Sequence, residues 1–508
     1  MYRILNDNLI PRSSCSYWDK PQFVYYEHTD RDGNVHRFGW DTNSLLLVSV
    51  DSVQEYERLK SDKVSPHVEA RYVPVFPIRR MIDKPMSIVL QATHCCNLAC
   101  KYCFVEGYYP DNAAHMNFNV AKNAIDFLCD FSKGVSIGFF GGEPLMNWDL
   151  ITQVVDYVKS VNREKGPKCK CGGKKDCTVC GGLGVLPPSF HVTTNGTLLN
   201  EERVKFLAEN KFSLIVSIDG PKEIHDANRV DSKGMGSYDK VMQGLELIKK
   251  YPVLVRANTL RSTFTCQVES IVPMLEHLNE LCDLGYASWV SVEPCELTES
   301  RCTYQKDLEI KDEHLPKLAR VYEEASRWWV DRAKRGLVPR FHNIHKMLER
   351  IFYCIHSGTE CGGGVGYMSV NGLGEIFACH REAGTKIGDL RTGIDEFLRA
   401  KWIDNRIYTR IGCSDCEIKY ICGGGCRQDS MVEYGDIHLP SEIQCKIKKL
   451  WFLCSALILE WCPKELIQKN VRNPIFGRKQ PCGCLKWVDG NIDSHFVYGI
   501  PVASLRKQ

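Results

Sequence analysis

No apolar run in this sequence is long enough to cross a bilayer: the most apolar stretch, Trp451 to Leu459, falls far short of the roughly 20 residues required, and Glu460 follows it. A secretory signal is also missing, since Met1 to Ser14 carries two arginines but no apolar core. Charge of one sign is not in excess. The chain has 65 basic and 62 acidic residues, a formal net charge of +3, so nothing global favours capture by nucleic acid or an anionic membrane. Internal repeats and low-complexity blocks are absent as well. Together these absences lead us to expect a cytoplasmic globular protein with neither a membrane nor a nucleic-acid partner.

What the sequence has in abundance is cysteine, 26 in 508 residues. In a chain that is not exported, metal ligation explains that number better than disulfides, which a reducing compartment does not maintain.

Residues 1–85 read as a small α+β module. Phe23 to His28 and Val35 to Trp40 form a hairpin pattern around Asp30-Arg31-Asp32-Gly33-Asn34, and a helical segment follows near Val53 to Lys60. From 86 to about 310, short β-rich runs (Ser87 to Ala92, Ser136 to Phe140, Phe190 to Thr194, Leu214 to Ile218, Val253 to Ala257, Trp289 to Val292) alternate with amphipathic segments such as Val120 to Phe131, Glu202 to Glu209 and Tyr238 to Lys250. Such alternation predicts βα units around a parallel sheet or partial barrel, with the chemistry at the strands' C-terminal ends. A helical bridge (311–350), a Gly- and Cys-rich region (351–450) that needs metal staples, and a tail (451–508) complete the division.

Cys96-x3-Cys100-x2-Cys103 follows the first of these strands. Three thiolates hold a four-iron cluster with one iron left open; read alone, the triad also fits a partial zinc site. Cys95 reads as a packed thiol. Gly141-Gly142-Glu143-Pro144 follows the second strand, Thr194-Asn195-Gly196 the third, and Ser217-Ile218-Asp219-Gly220-Pro221 with His225 and Arg229 the fourth. Glycines there permit close backbone approach, a carboxylate suits an ammonium, and a guanidinium suits a carboxylate.

This set resembles the radical S-adenosylmethionine (radical SAM) superfamily. The resemblance implies an α/β fold, a partial (β/α)6 barrel, with S-adenosylmethionine bound at the open iron of a [4Fe-4S] cluster on Cys96, Cys100 and Cys103. It places Tyr102 near the adenine, gives the amino group to Gly141, Gly142, Glu143 and Pro144, the ribose to Ser217 and the methionyl carboxylate to Arg229. Asn195 is a further candidate ligand, whereas Asp219, Gly220 and His225 read as turn-builders.

Further on, Cys361-x12-Gly374-x4-Cys379, Cys413-x2-Cys416-x5-Cys422-x3-Cys426 and Cys445 are similar to the SPASM extension of peptide-modifying members. That likeness implies a C-terminal Cys-rich SPASM domain with two auxiliary [4Fe-4S] clusters, one on Cys354, Cys361, Cys379 and Cys426, the other on Cys413, Cys416, Cys422 and Cys445. Three clusters in all are expected; zinc ribbons on the same thiols are the alternative.

Cys169-x-Cys171 and Cys177-x2-Cys180, each followed by Gly-Gly, sit in a basic insert (164–186) that is no part of the family pattern. Four thiols between tight turns fit a tetrahedral zinc site, with another cluster or free thiols as alternatives. Cys462, Cys482 and Cys484 read as unpaired thiols.

The function so implied is oxidation of a peptide or protein substrate, such as thioether or carbon–carbon cross-linking, started by a 5′-deoxyadenosyl radical. Residues 1–85 are about the size of the winged-helix-like module with which many such peptide maturases hold a leader peptide at a sheet edge, and are expected either to do the same or to cap the barrel. A flavodoxin or ferredoxin is the expected electron donor. Formylglycine formation of the anaerobic sulfatase-maturase kind is the alternative; those relatives place an aspartate base after the auxiliary cysteine, whereas Cys379 here precedes His380, itself a candidate base. A non-enzymatic iron–sulfur electron carrier is the rival from another class.

Overall fold

A computed structural model describes residues 2–4, 23–42, 46–54, 57, 84–104, 115–295, 307–352, 355, 357–382 and 384–471, with the backbone of short strands at 496–497 and 500–501. Cys354, Cys482, Cys484 and most of the helix expected near Val53 to Lys60 lie outside the described residues.

The N-terminal part forms an antiparallel sheet of four strands, β1 (Tyr2–Ile4), β2 (Phe23–Thr29), β3 (Val35–Asp41) and β4 (Leu46–Ser49). The expected hairpin is β2–β3. Its turn is set by Asp30 Oδ1, which accepts from the backbone N–H groups of Asp32 (3.0 Å) and Asn34 (2.8 Å). The fully buried Trp40 donates its indole N–H to the Glu417 carbonyl at 2.8 Å and packs edge-on against Phe452 at 4.9 Å. This sheet therefore docks on the C-terminal helix Glu442–Trp461, whose residues 450–458 are buried.

Six parallel strands follow in sequential order: β5 (Ser87–Thr93), β6 (Ser136–Gly141), β7 (Ser189–Thr194), β8 (Ser213–Ser217), β9 (Asn258–Phe264) and β10 (Trp289–Pro294). Helices join them, and the first shows why they pack. In Phe118–Leu128 the buried residues are Ala121, Ala124, Ile125 and Leu128, one stripe at helical spacing, and the Asn117 side chain caps the start by accepting from Val120 N at 3.0 Å. The result is the expected partial (β/α)6 barrel. Its helices continue through Leu315–Lys334 and His342–Phe352 in the bridge.

One expected strand is corrected. Val253 to Ala257 lies largely in a short helix, Pro252–Arg256, and the strand begins at Asn258. Proline at the first helical position presets the helical φ, while Asn258–Phe264 alternates buried and half-buried positions with the period of two that a strand requires.

The sheet does not stop at the barrel. β11 (Tyr367–Val370) pairs in parallel with β5, Tyr367 opposite Ser87, and β12 (Glu375–Phe377), β13 (Lys386–Asp389) and β14 (Gly393–Ile394) continue it antiparallel. One sheet of ten strands thus carries both cysteine-rich regions. Among the described residues no helix is long and apolar enough to cross a membrane.

Candidate functional site

Cys96, Cys100 and Cys103 lie in the loop beyond the C-terminal end of β5, and backbone bonds to the end of β6 and to the end of the helix Lys222–Asn228 hold that loop. Gly142 N donates to Thr93 O (2.9 Å), Glu143 N to Cys95 O (2.8 Å), Ala99 N to Val230 O (2.7 Å) and Lys101 N to Asn228 O (3.0 Å). The two glycines answer to this contact: a Cβ on Gly141, whose φ is +131°, would stand 2.0 Å from Thr93 O, and one on Gly142 would stand 2.3 Å from Cys95 O. Gly142→Ala is therefore expected to push the cysteine loop outward and abolish iron loading, read as iron bound per chain after anaerobic reconstitution, while the far-UV circular dichroism stays near that of the parent.

Glu143 is wholly buried, and its carboxylate is committed to the protein. One oxygen accepts from Thr194 Oγ1 (2.7 Å) and Leu145 N (3.1 Å), the other from Asn195 N (2.7 Å). Burial pushes its pKa up against these bonds. The side chain so ties the loop after β6, including Pro144 at the start of a short 3-10 turn, to the end of β7. Asn195 in turn reaches the cysteine loop: its Nδ2 donates to Asn97 Oδ1 at 2.9 Å and lies 3.8 Å from Cys96 Sγ.

Arg229 is buried beneath the same loop. Its Nε donates to Asp219 Oδ1 at 3.0 Å, and its guanidinium lies 5.3 Å from the centre of the Tyr102 ring. Tyr102 donates its hydroxyl to Asp219 Oδ2, and Thr263 N donates to Asp219 Oδ1 at 3.1 Å. Burial alone would lower the Arg229 guanidinium; the Asp219 carboxylate, with Tyr102 and Cys100, more than offsets that and keeps it charged. Asp219, read from the sequence as a turn-builder, is thus the centre of a buried network joining the cysteine loop, β9 and Arg229. His225 does serve the turn, taking Asp219 N at 3.3 Å and pairing with Ser237 Oγ at 2.9 Å. Ser217 stands half-buried at the end of β8, opposite Arg261. Burial pushes the Cys96 thiol up to about 11 and Cys100 up to about 12, so a metal must displace protons to bind them.

The later cysteines gather in two groups. Cys361, Cys379 and Cys426 all stand near Tyr367, whose hydroxyl donates to Cys379 Sγ at 3.8 Å. Cys422 acts on Cys413, Cys416 and Cys445. Burial raises Cys379 to about 11 and Cys445 to about 12, and raises Cys413, Cys416, Cys422 and Cys426 as well. Cys462 is buried.

The first group lies close to the barrel mouth. His380 sits edge-on to Phe140 with ring centres 4.7 Å apart, its Nδ1 is 3.4 Å from the Tyr367 hydroxyl, and Gln91 of β5 donates to its carbonyl. Phe140 in turn lies 6.4 Å from Phe104, the residue after Cys103. Aromatic rings thus line the space between the first cysteine loop and Cys379.

In the insert, the sulfurs of Cys169, Cys171, Cys177 and Cys180 all lie within 4.8 Å of one another, the one such set of His, Cys, Asp or Glu ligand atoms among the described residues. A single zinc ion needs thiolates about 3.8 Å apart, a spacing that this set approaches.

Comparison with known proteins shows the family. A model of the radical SAM superfamily matches residues 90–263. The sequence is 30% identical to a serine-type anaerobic sulfatase-maturating enzyme of Bacteroides thetaiotaomicron over 452 residues, 81% of this chain and 96% of that protein. It is 23% identical to the radical SAM cyclopropyl synthase TigE of Paramaledivibacter caminithermalis over 480 residues, 89% of this chain and 87% of that enzyme. Against four other curated relatives the chain spans only about half of their length, 46% to 52%. Among solved structures, native anSMEcpe with bound AdoMet has a TM-score of 0.57 at 20% identity, covering 74% of this chain and 98% of that one, a likeness of fold alone.

Proposed function

Because the chain belongs to the radical SAM superfamily, we propose that Cys96, Cys100 and Cys103 hold a [4Fe-4S] cluster with one open iron, and that the enzyme oxidatively modifies a peptide or protein. The observation that carries this reading is the convergence of the Gly141–Pro144 loop, Asn195 and the Asp219–Arg229–Tyr102 network on one three-cysteine loop at the barrel's strand ends. With S-adenosylmethionine bound, such a cluster supplies a 5′-deoxyadenosyl radical. The chain's own part is to place and shield it. Gly141, Gly142 and Pro144 bring backbone to the cofactor's amino end, Glu143 and Asn195 fix that backbone, Ser217 takes the ribose, and Arg229, held by Asp219, presents its remaining N–H groups to a carboxylate. Tyr102 walls the adenine side.

The second array is read as two auxiliary [4Fe-4S] sites, Cys361, Cys379 and Cys426 with Cys354 for one, Cys413, Cys416, Cys422 and Cys445 for the other. Four thiolates on each leave no open iron, which suits electron transfer. The substrate then lies between the first loop and Cys379, along Phe104, Phe140 and His380, and a net two-electron oxidation such as a thioether or carbon–carbon cross-link is the outcome. A flavodoxin or ferredoxin is the proposed donor, and a leader peptide the proposed occupant of an edge of the N-terminal sheet. One relative is a sulfatase-maturating enzyme, and maturing a sulfatase is modification of a protein.

His380 is assigned the proton released from the substrate. His380→Gln is expected to slow formation of the modified peptide by about 10²- to 10⁴-fold while 5′-deoxyadenosine release persists, both read by mass spectrometry; full product formation would end its assignment as base. A second reading, formylglycine formation, is favoured by the 30% identity to a sulfatase-maturating enzyme along nearly all of that protein. Presenting sulfatase-derived serine and cysteine peptides beside a peptide encoded near this gene separates the two: a mass loss on the sulfatase peptide alone would select the maturase.

A further inference from the structure

We propose that residues 164–186 form a structural tetrathiolate zinc knuckle, built on Cys169, Cys171, Cys177 and Cys180 at the end of the barrel opposite the radical chemistry. The four sulfurs are already drawn together. Cys169 and Cys177 are 3.9 Å apart and Cys171 and Cys180 3.3 Å apart, close to the spacing of about 3.8 Å that tetrahedral zinc imposes with bonds of about 2.3 Å. No carboxylate or imidazole joins the set, so an oxygen-seeking cation such as calcium or magnesium has no ligands here.

The backbone is shaped for the same purpose. Each Cys pair is followed by two glycines with left-handed φ, Gly172 (+64°) and Gly173 (+88°), Gly181 (+58°) and Gly182 (+85°). These turns fold the chain back over the sulfurs: Gly172 N donates to Cys169 O (3.1 Å), Gly181 N to Cys177 O (2.8 Å) and Gly173 N to Cys171 Sγ (3.3 Å). An amide aimed at a sulfur favours the thiolate that a metal requires.

Little besides a metal can hold this segment. It contains no helix or strand beyond the end of the helix Trp148–Lys165, only a single bridge between Lys168 and Val185, and it leaves Val179 and Leu183 more than half exposed (55% and 58%). A folded loop with so little buried apolar surface draws its stability from a staple. The neck of the knuckle is fastened by Cys169 N to Gly184 O (2.8 Å), Leu186 N to Pro167 O (2.8 Å) and Asn162 Nδ2 to Leu186 O (2.9 Å). It delivers the chain to Ser189, the N-terminal end of β7, whereas Asn195 and the cysteine loop stand at the C-terminal ends. The site therefore sets where β7 begins and takes no part in the reaction.

The test uses the full chain, purified in air after growth with zinc and analysed by inductively coupled plasma mass spectrometry. One zinc per chain is expected in the parent and in a Cys96→Ala/Cys100→Ala/Cys103→Ala variant, and none in Cys171→Ser/Cys180→Ser. The last variant, reconstituted anaerobically, is expected to keep forming 5′-deoxyadenosine with a lowered melting temperature. Should it fail to fold, alkylation of the native parent followed by peptide mapping gives the answer: the four insert cysteines are expected to be protected until a chelator is added. A parent without zinc, zinc retained by the double variant, a single iron in the insert, or insert cysteines alkylated as fast as exposed thiols would each overturn the proposal. None of these results depends on the radical reaction, so this proposal stands or falls separately from that function.

Discussion

Cys100→Ala, reconstituted anaerobically and reduced, is expected to release no detectable 5′-deoxyadenosine from S-adenosylmethionine, whereas Cys95→Ala is expected to match the parent. The contrast follows from what each residue contributes. Cys95 offers the loop its backbone carbonyl, which accepts from Glu143 N at 2.8 Å, and alanine keeps that carbonyl. Cys100 offers its sulfur: the thiol packs with the buried Tyr102, Cys295 and Leu308 and stands near Cys96 and Cys103. Two remaining thiolates cannot hold a cube with a single open iron. Equal loss of product in both variants would mean that the loop matters only for its fold.

Asp219→Ala carries the second large effect, on stability and chemistry together. It strips a buried guanidinium, Arg229, 8% exposed, of its anion and leaves the Tyr102 hydroxyl and Thr263 N without their acceptor. Breaking a buried ion pair by removing one partner costs about 3–5 kcal/mol, to be read from denaturant unfolding. In whatever protein still folds, a displaced Arg229 is expected to cost about 10²-fold in 5′-deoxyadenosine formation, because small misplacements of a positioning group have effects of that size. Asp219→Asn separates the parts. It keeps the shape and an acceptor oxygen but not the charge, so stability should recover more than activity; recovery of both would reduce Asp219 to a packing role.

The barrel was legible because its strands, buried by helices, read as short apolar runs that end in chemistry-bearing loops. The failure at Val253 to Ala257 is instructive, since Val-Leu-Val-Arg-Ala is too short to show a period, and Pro252 before it suits a helix start. Asp219 was illegible for another reason: its partners lie 117, 10 and 44 residues away, and no local pattern distinguishes a carboxylate that caps a turn from one that anchors a buried arginine. Glu143 repeats the lesson, a motif residue whose carboxylate is spent on Thr194, Leu145 and Asn195. The parallel pairing of β11 with β5 was equally hidden, because it joins segments about 280 residues apart and turns a seemingly separate cysteine-rich region into part of the barrel's own sheet. The spacing of Cys169, Cys171, Cys177 and Cys180, by contrast, was local enough to read, and their sulfurs lie within 4.8 Å of one another.

The most direct test of the central claim is the electron paramagnetic resonance spectrum of the reduced, oxygen-protected protein before and after S-adenosylmethionine is added. Binding at an open iron predicts that part of the signal shifts, and that this shift vanishes in Cys100→Ala while the remaining signals persist. A spectrum indifferent to S-adenosylmethionine, or a loop of Cys96, Cys100 and Cys103 that carries only zinc, would contradict the account.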